Sequence, residues 1–343
     1  MIDPVIFSLP PIKLFFGITL QLTLRWYGVL VMLGVLSGAW IARKEIKRRG
    51  ENGEVIWDAL VWVLLAGIVG ARLWYVLNSL LGGSSYYLDD PRRILYITEG
   101  GLHIFGGFLF GAIALLVFLR RNKLDTWLFL DAIGPVALIG QAIARPANFI
   151  NQELYGPPTK LPWGISIDAQ HRLPAYSDLS LYPVETTRFH PTFGYEMIWN
   201  VLAALFLLWY AREHKEKVKP GTIFGGWLIA AGLGRTWLEL FFRPDQPKIP
   251  GTIISYSALV AFLMAVAGVI LLLIRYGKLK PAFAEGWEEE YYISEAPREE
   301  KQPRRASKVV LEEDEVEEAA EEEKEEIPVR KKRVTRKAAS AKK

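Results

Sequence analysis

Cysteine is absent from this 343-residue chain, and histidine and methionine are scarce at four residues each. Without a thiol, the protein can have neither disulfides, nor thiolate-bound metals, nor a nucleophilic cysteine of its own. The histidines, His103, His171, His190 and His214, are widely separated, and no HExxH pattern joins any two of them. A zinc site is therefore not expected, and neither is any other metal or cofactor. A GxSxG elbow and a phosphate-cradling Walker loop are also missing. An enzyme built from this sequence would take its nucleophile from a substrate. The first 21 residues lack the basic start and small-residue cleavage site of a signal peptide. No internal repeat stands out.

Apolar residues, by contrast, make up 51% of the chain, with 12 Trp, 14 Tyr and 17 Phe. A helix needs about 20 mostly apolar residues to cross a bilayer. Seven stretches approach that length, at residues 22–42, 55–77, 104–119, 127–147, 192–211, 221–242 and 253–274. Several contain Gly, Pro or a charge, as expected of helices that face one another across a polar cavity. The first, third, fifth and seventh stretches are followed by RKEIKRRG, RRNK, REHKEKVK and RYGKLK. The excess of Lys and Arg in cytoplasmic loops puts those ends inside, the N-terminus outside and the C-terminus in the cytoplasm. The fold expected is an all-α integral membrane protein, with seven transmembrane helices around a polar cavity. Residues 1–21 read as an interfacial segment on the outer face and residues 22–280 as the transmembrane domain. Within it, the Pro-, Tyr- and Asp-rich stretch 150–190 forms a small outer cap.

Beyond residue 280 the composition changes. Residues 312–326 hold eleven acids and one lysine, and residues 330–343 hold eight basic residues and no acid. Such a segment cannot bury enough apolar surface to fold alone, so 281–343 reads as a disordered cytoplasmic tail. Its basic end suits anionic lipid headgroups or cytoplasmic partners. Nucleic acid is not an expected partner.

The chemistry is carried by polar residues placed where helices should be apolar. The run ARPANFINQELYG closes the fourth stretch with Arg145, Asn148, Asn151 and Glu153. Arg145 could snorkel to the headgroups. Its polar neighbours, however, demand protein, water or a polar ligand, and Pro146 should break the helix there. In the sixth stretch Arg235, Glu239 and Arg243 recur every four residues, on one helix face. An internal Arg235–Glu239 pair accounts for two of them. One carboxylate cannot balance every guanidinium nearby, and a phosphate, which arginine grips bidentately, could complete the balance.

Tyr27 stands in RWYG, where aromatic belt residues are common. Arg72 lies about a turn inside the second stretch, where snorkelling competes with a role at a site. His103 sits at the mouth of the third stretch, either as a structural imidazole or as a proton acceptor. Gly107 and Gly111 form a GxxxG spacing that favours close helix approach. His190, Tyr195 and Glu196 of HPTFGYE open the fifth stretch, where they could cap the helix or rim the cavity.

Together these motifs resemble the prolipoprotein diacylglyceryl transferases. The family signature G-R-x-G-N-F-x-N-G-E-L-x-G is similar to ARPANFINQELYG at Arg145, Asn148, Phe149, Asn151, Glu153, Leu154 and Gly156. RWYG at 25–28, GARL at 70–73, the double-glycine run at 100–107, HPTFGYE at 190–196 and RTWLELFFR at 235–243 follow in the family's order. Ala144, Ala147 and Gln152 stand where the signature has glycine, and Pro146 replaces a family-typical residue at its open third position. Phe105 stands where the family often carries histidine or tyrosine, and phenylalanine exchanges no proton.

The resemblance implies transfer of the diacylglyceryl group of phosphatidylglycerol to the thiol of a prolipoprotein lipobox cysteine. A thioether forms and glycerol-1-phosphate leaves, as the first step of lipoprotein maturation in a bacterial inner or plasma membrane. Arg145 and Arg235 are then the expected phosphate clamp, and His103 a candidate base. Tyr27, Arg72, Asn148, Asn151, Glu153, Gly156, His190, Tyr195, Glu196, Glu239 and Arg243 are expected to bind substrate. A transporter or flippase of an anionic lipid or other anionic substrate, or an inactive lipid-binding relative, is the alternative.

Overall fold

A computed structural model describes residues 3–10, 12–13, 19–20, 23–96, 100–243 and 245–294. The acidic and basic runs of the expected tail lie outside these residues. Two short antiparallel strand pairs come first, β1 (Val5–Ser8) with β4 (Thr23–Arg25) and β2 (Ile12–Lys13) with β3 (Thr19–Leu20). These strands depart from the purely helical expectation, and they move the start of the first long helix to Trp26. Thr23, Leu24 and Arg25 are spent on pairing with β1.

Long helices follow: α1 (Trp26–Arg48), α2 (Val55–Leu81), and, after the one-turn α3 (Tyr86–Asp89), α4 (Ile104–Arg121) and α5 (Thr126–Ala144). The five-residue α6 (Pro146–Ile150) precedes α7 (Thr192–Glu213), α8 (Thr222–Phe242) and α9 (Tyr256–Arg275). Among the described residues six helices are long and apolar enough to cross a membrane, if α5 and α6 are taken as one run. The exception is α8, which has the length but is diluted by four glycines, Arg235 and Glu239.

The bundle is centred on α5. Half of its span is buried, against 17–33% for the other five, and it packs on α1, α7 and α8. Close approach is set by residues without a side chain. A Cβ on Gly34 of α1 would lie 2.5 Å from the carbonyl oxygen of Gly140 of α5, so only glycine fits there. Between α2 and α4 the tight contact is Gly106 against Gly70. Gly107 and Gly111 also face α2, but a Cβ on either would meet only ordinary van der Waals distances, so the strict demand falls one residue before the GxxxG pair.

At the end of the bundle holding the C-terminus of α1, buried Glu45 receives Arg48, Arg49 and Arg212. Buried Asp131 of α5 accepts the backbone N–H groups of Gly221 and Phe224, both at 2.6 Å, and so caps the start of α8. The stretch after α9 then returns across this end. Tyr291 donates to Asp131 at 2.8 Å, the Tyr292 N–H reaches Asp125 at 2.7 Å, and Ser294 donates twice to Glu51. Trp287 and Trp127 each lie 4.5 Å from the Arg275 guanidinium. Residues 281–294, expected to open a disordered tail, form a strap.

Candidate active site

At the opposite end, Pro146 does what its missing N–H dictates and begins a new helix. It is the first residue of α6, while Arg145 keeps helical angles (φ −60°, ψ −34°) between α5 and α6. The expected break is thus a junction, and it turns the Arg145 side chain toward α7. The Arg145 Nη2 donates to Glu196 Oε1, while its Nη1 donates to Asn148 Oδ1 at 3.2 Å. The other Glu196 oxygen faces the Arg235 Nη1 at 3.6 Å. Arg235 in turn pairs with Glu239, one turn further along α8, at 2.5 Å. Ser255, the N-cap of α9, donates to Glu239 at 3.2 Å. On the other side, Asn148 and Asn151 both donate to Glu153 Oε1, at 2.9 and 3.1 Å.

One polar chain therefore runs from Glu153 through Asn148, Arg145, Glu196, Arg235 and Glu239 to Ser255. It ties α6, α7, α8 and α9 together. The side chains of Arg145, Glu196 and Arg235 retain 19%, 12% and 31% of their exposure, and that of Glu239 none. The Arg145 Nε is buried without an acceptor among the described residues, an unmatched N–H in a site crowded with charge.

The bridging position of Glu196 changes the charge argument drawn from sequence. Two carboxylates, Glu196 and Glu239, answer Arg145 and Arg235 one for one, so no phosphate is needed for balance. An anionic ligand held by both arginines would take over guanidinium contacts that Glu196 now holds. Arg243 also departs from expectation. It lies just past the end of α8, within electrostatic reach of Glu239 and Glu196, and forks to both oxygens of Asp245 at 2.9 Å. That pairing holds the Asp245 carboxyl below its ordinary range, despite the opposing effect of burial.

The remaining expected residues fall into two groups. Gly156 lies beside the chain. A Cβ there would meet Thr192 Oγ1 at 2.7 Å, His190 Cβ at 3.0 Å and the Phe242 carbonyl at 3.1 Å. Its N–H donates to the His190 carbonyl at 2.8 Å, which docks the end of the signature run onto the start of α7. Tyr195 Oη lies 2.9 Å from His190 Nδ1 and accepts from the exposed Trp163 indole at 2.8 Å. Burial keeps the His190 imidazole below its usual pKa.

Arg72, Tyr27 and His103 are not joined to the chain by any hydrogen bond or ion pair among the described residues. Arg72 is buried rather than snorkelling. It donates to the carbonyls of Ile94, Gly100, Gly101, Arg93 and Tyr96 at 2.6–3.2 Å, and so latches the connection between α2 and α4. Tyr27 is 45% exposed. His103 stacks on Phe105 with ring centroids 5.5 Å apart, and its buried Nδ1 has no hydrogen-bond partner among the described residues.

Sequence reasoning missed Gln152. Its amide exchanges two hydrogen bonds with Asp168, at 2.7 and 2.8 Å, while its backbone takes a positive φ of 52°. The turn aims Glu153 back at the two asparagines, and glycine at this place in the signature was the signal for it. Beyond it, Tyr155, Ile167, Tyr176 and Phe189 form a small core for the segment between α6 and α7.

A sequence model of the family described as prolipoprotein diacylglyceryl transferase matches residues 13–274. The phosphatidylglycerol–prolipoprotein diacylglyceryl transferase of Trichormus variabilis is 35% identical over 258 residues, 74% of this chain and 87% of that protein. The protein of the same name from Corynebacterium efficiens is 33% identical over 285 residues, 81% and 85% of the two chains. That from Chloroflexus aggregans is 36% identical over 227 residues, 64% and 73%. The polar chain lies wholly within the matched region, and the strap lies wholly beyond it.

Proposed function

The chain belongs to the prolipoprotein diacylglyceryl transferase family, and from that membership we propose that it moves the diacylglyceryl group of phosphatidylglycerol onto the lipobox cysteine thiol of a prolipoprotein. The observation that carries this reading is the convergence of Arg145 and Arg235, from different elements, on the two oxygens of one carboxylate. Two guanidiniums spaced to hold a carboxylate are also spaced to hold a phosphate.

Attack of sulfur on the glycerol carbon expels a phosphate ester, so negative charge grows on phosphate oxygens at the end of an apolar bundle. Oriented cations act most strongly in such a place, because little water competes with them. Arg145 and Arg235 are the groups assigned to that charge. Asn148, itself tied to Glu153, steadies Arg145, and Glu239, steadied by Ser255, anchors Arg235. The nucleophile comes with the second substrate, consistent with a chain that has no cysteine.

In this reading α8 is the seventh span. The segment between α6 and α7 is a cap on the outer face, next to the site, and the N-terminal strand pairs lie at that same interface. The loops rich in Lys and Arg, together with the strap, face the cytoplasm of a bacterial cell membrane, where the basic end of the tail is suited to anionic lipids. Phe105, in a place where the family often has a titratable side chain, favours one competing reading, an inactive lipid-binding relative.

The deciding experiment incubates the purified protein with labelled phosphatidylglycerol and a lipobox peptide. Thioether product and glycerol phosphate in equal amounts are expected. Lipid bound or moved between leaflets without any thioether would leave the inactive relative or a flippase instead.

A further inference from the structure

The transfer needs a proton acceptor, since a cysteine thiol with an ordinary pKa of about 8.5 is mostly protonated at neutral pH. Phe105 cannot serve, and His103 makes no side-chain hydrogen bond to the polar chain among the described residues. Among the described residues, His190 and Tyr195 are an uncharged titratable pair hydrogen-bonded side chain to side chain at the start of α7, next in sequence to Glu196. The Trp163 indole can only donate, so Tyr195 Oη is its acceptor at 2.8 Å. The Tyr195 hydroxyl hydrogen has one acceptor within reach among the described residues, His190 Nδ1 at 2.9 Å. The neutral tautomer with its hydrogen on Nε2 leaves His190 Nδ1 free to accept that hydrogen, and burial, which lowers the imidazole pKa, favours the neutral form.

One lone pair of the Tyr195 oxygen remains unused. Tyr195 immediately precedes Glu196, the residue that both guanidiniums share, and both rings of the pair pack edge-on to Phe242 at 5.1 and 5.3 Å. Trp163 is 55% exposed and both rings of the pair are half-buried, so the pair lies near the molecular surface.

We propose that Tyr195 and His190 form the proton relay for the attacking thiol, an assignment that rests on the transfer reaction proposed above. The S–H proton passes to Tyr195 Oη as the hydroxyl proton passes to His190 Nδ1, leaving an imidazolium. Sulfur bonds to the glycerol carbon, the carbon–oxygen bond breaks, and its electron pair departs on the phosphate ester held by Arg145 and Arg235. The relay is reset when His190 returns its proton through Tyr195 to the departing phosphate or to water. Trp163 is a positioning residue that fixes the hydroxyl. Among the described residues, the charged groups nearest the pair on the surrounding elements are Arg188, Glu196, Arg235, Glu239, Arg243 and Asp245. None of them hydrogen-bonds to either ring.

The test compares wild type, Tyr195→Phe and His190→Gln in the phosphatidylglycerol and lipobox-peptide assay between pH 7 and 9. Phenylalanine keeps the ring against Phe242, and glutamine can accept the Tyr195 hydrogen bond without taking its proton. At pH 7 each variant should lose roughly 10²-fold in kcat, the lower end of what general-base catalysis supplies. KM for the lipid and the melting temperature should stay near wild type. The deficit should shrink toward pH 9, as the peptide thiol ionises without help. Tyr195→Phe turnover within twofold of wild type at pH 7, or a deficit that is constant with pH, overturns the relay and leaves the transferase reading intact. No thioether from wild type overturns that reading, and the relay with it.

Discussion

Glu196 decides how the two guanidiniums act. Because it takes one hydrogen bond from Arg145 and faces Arg235 at 3.6 Å, it holds them at a spacing suited to a phosphate and, in the proposed transfer, competes with phosphate for them. Glu196→Gln removes the competing charge but also the link between the arginines. The expected result is a kcat lower by about 10²-fold, the scale of losing one oriented donor, with no rise in KM for phosphatidylglycerol. A KM increase with kcat unchanged would make Glu196 a binding group only. Arg145, Asn148, Arg235 and Glu239 were legible in the sequence because each breaks an apolar run and so must face something polar. The bridging role of Glu196 was not, since at the mouth of a helix a glutamate has ordinary reasons to be there. Only the packing of α7 between α5 and α8 sets its partners.

Helix ends account for much of what the sequence could not show. The four-residue spacing of Arg235, Glu239 and Arg243 predicts one face, but α8 stops at Phe242 and Arg243 turns to Asp245. The Asp245 carboxyl has a folded pKa below its unfolded value of about 3.9, so the pair stabilises above that pH and weakens as acid takes the pH down through the folded value. Asp245→Asn should lower the melting temperature near neutrality and flatten its fall below about pH 4, as thermal unfolding in detergent across pH would show. Gly156 is the second such point, pressed between Thr192, His190 and Phe242. Gly156→Ala should destabilise by about 1–3 kcal/mol, the usual cost of overpacking, and should reduce transfer because the signature run no longer docks on α7. Unchanged stability in that variant would mean that the contact gives way freely.

For the molecule as a whole, the apolar runs were readable from composition and the strap was not. Trp287 and Tyr291 stand in an acidic, Gly-containing stretch that resembles a tail, yet one covers Arg275 and the other seals buried Asp131. Truncation after Lys280 should therefore lower the melting temperature while the folded remainder keeps its transfer activity, since the strap and the polar chain occupy opposite ends of the bundle. Activity lost in protein that still melts as wild type would instead give the strap a part in turnover. The account as a whole depends on Arg145 and Arg235 working as one device across separate helices. A double-mutant cycle of Arg145→Lys and Arg235→Lys, read as kcat/KM for thioether formation, tests it directly. Each single change should cost about 10²-fold with folding intact, because a point charge cannot replace the guanidinium fork, and the double variant should be little worse than either. Full activity in either single variant, or losses that simply multiply in the double, would contradict a shared clamp.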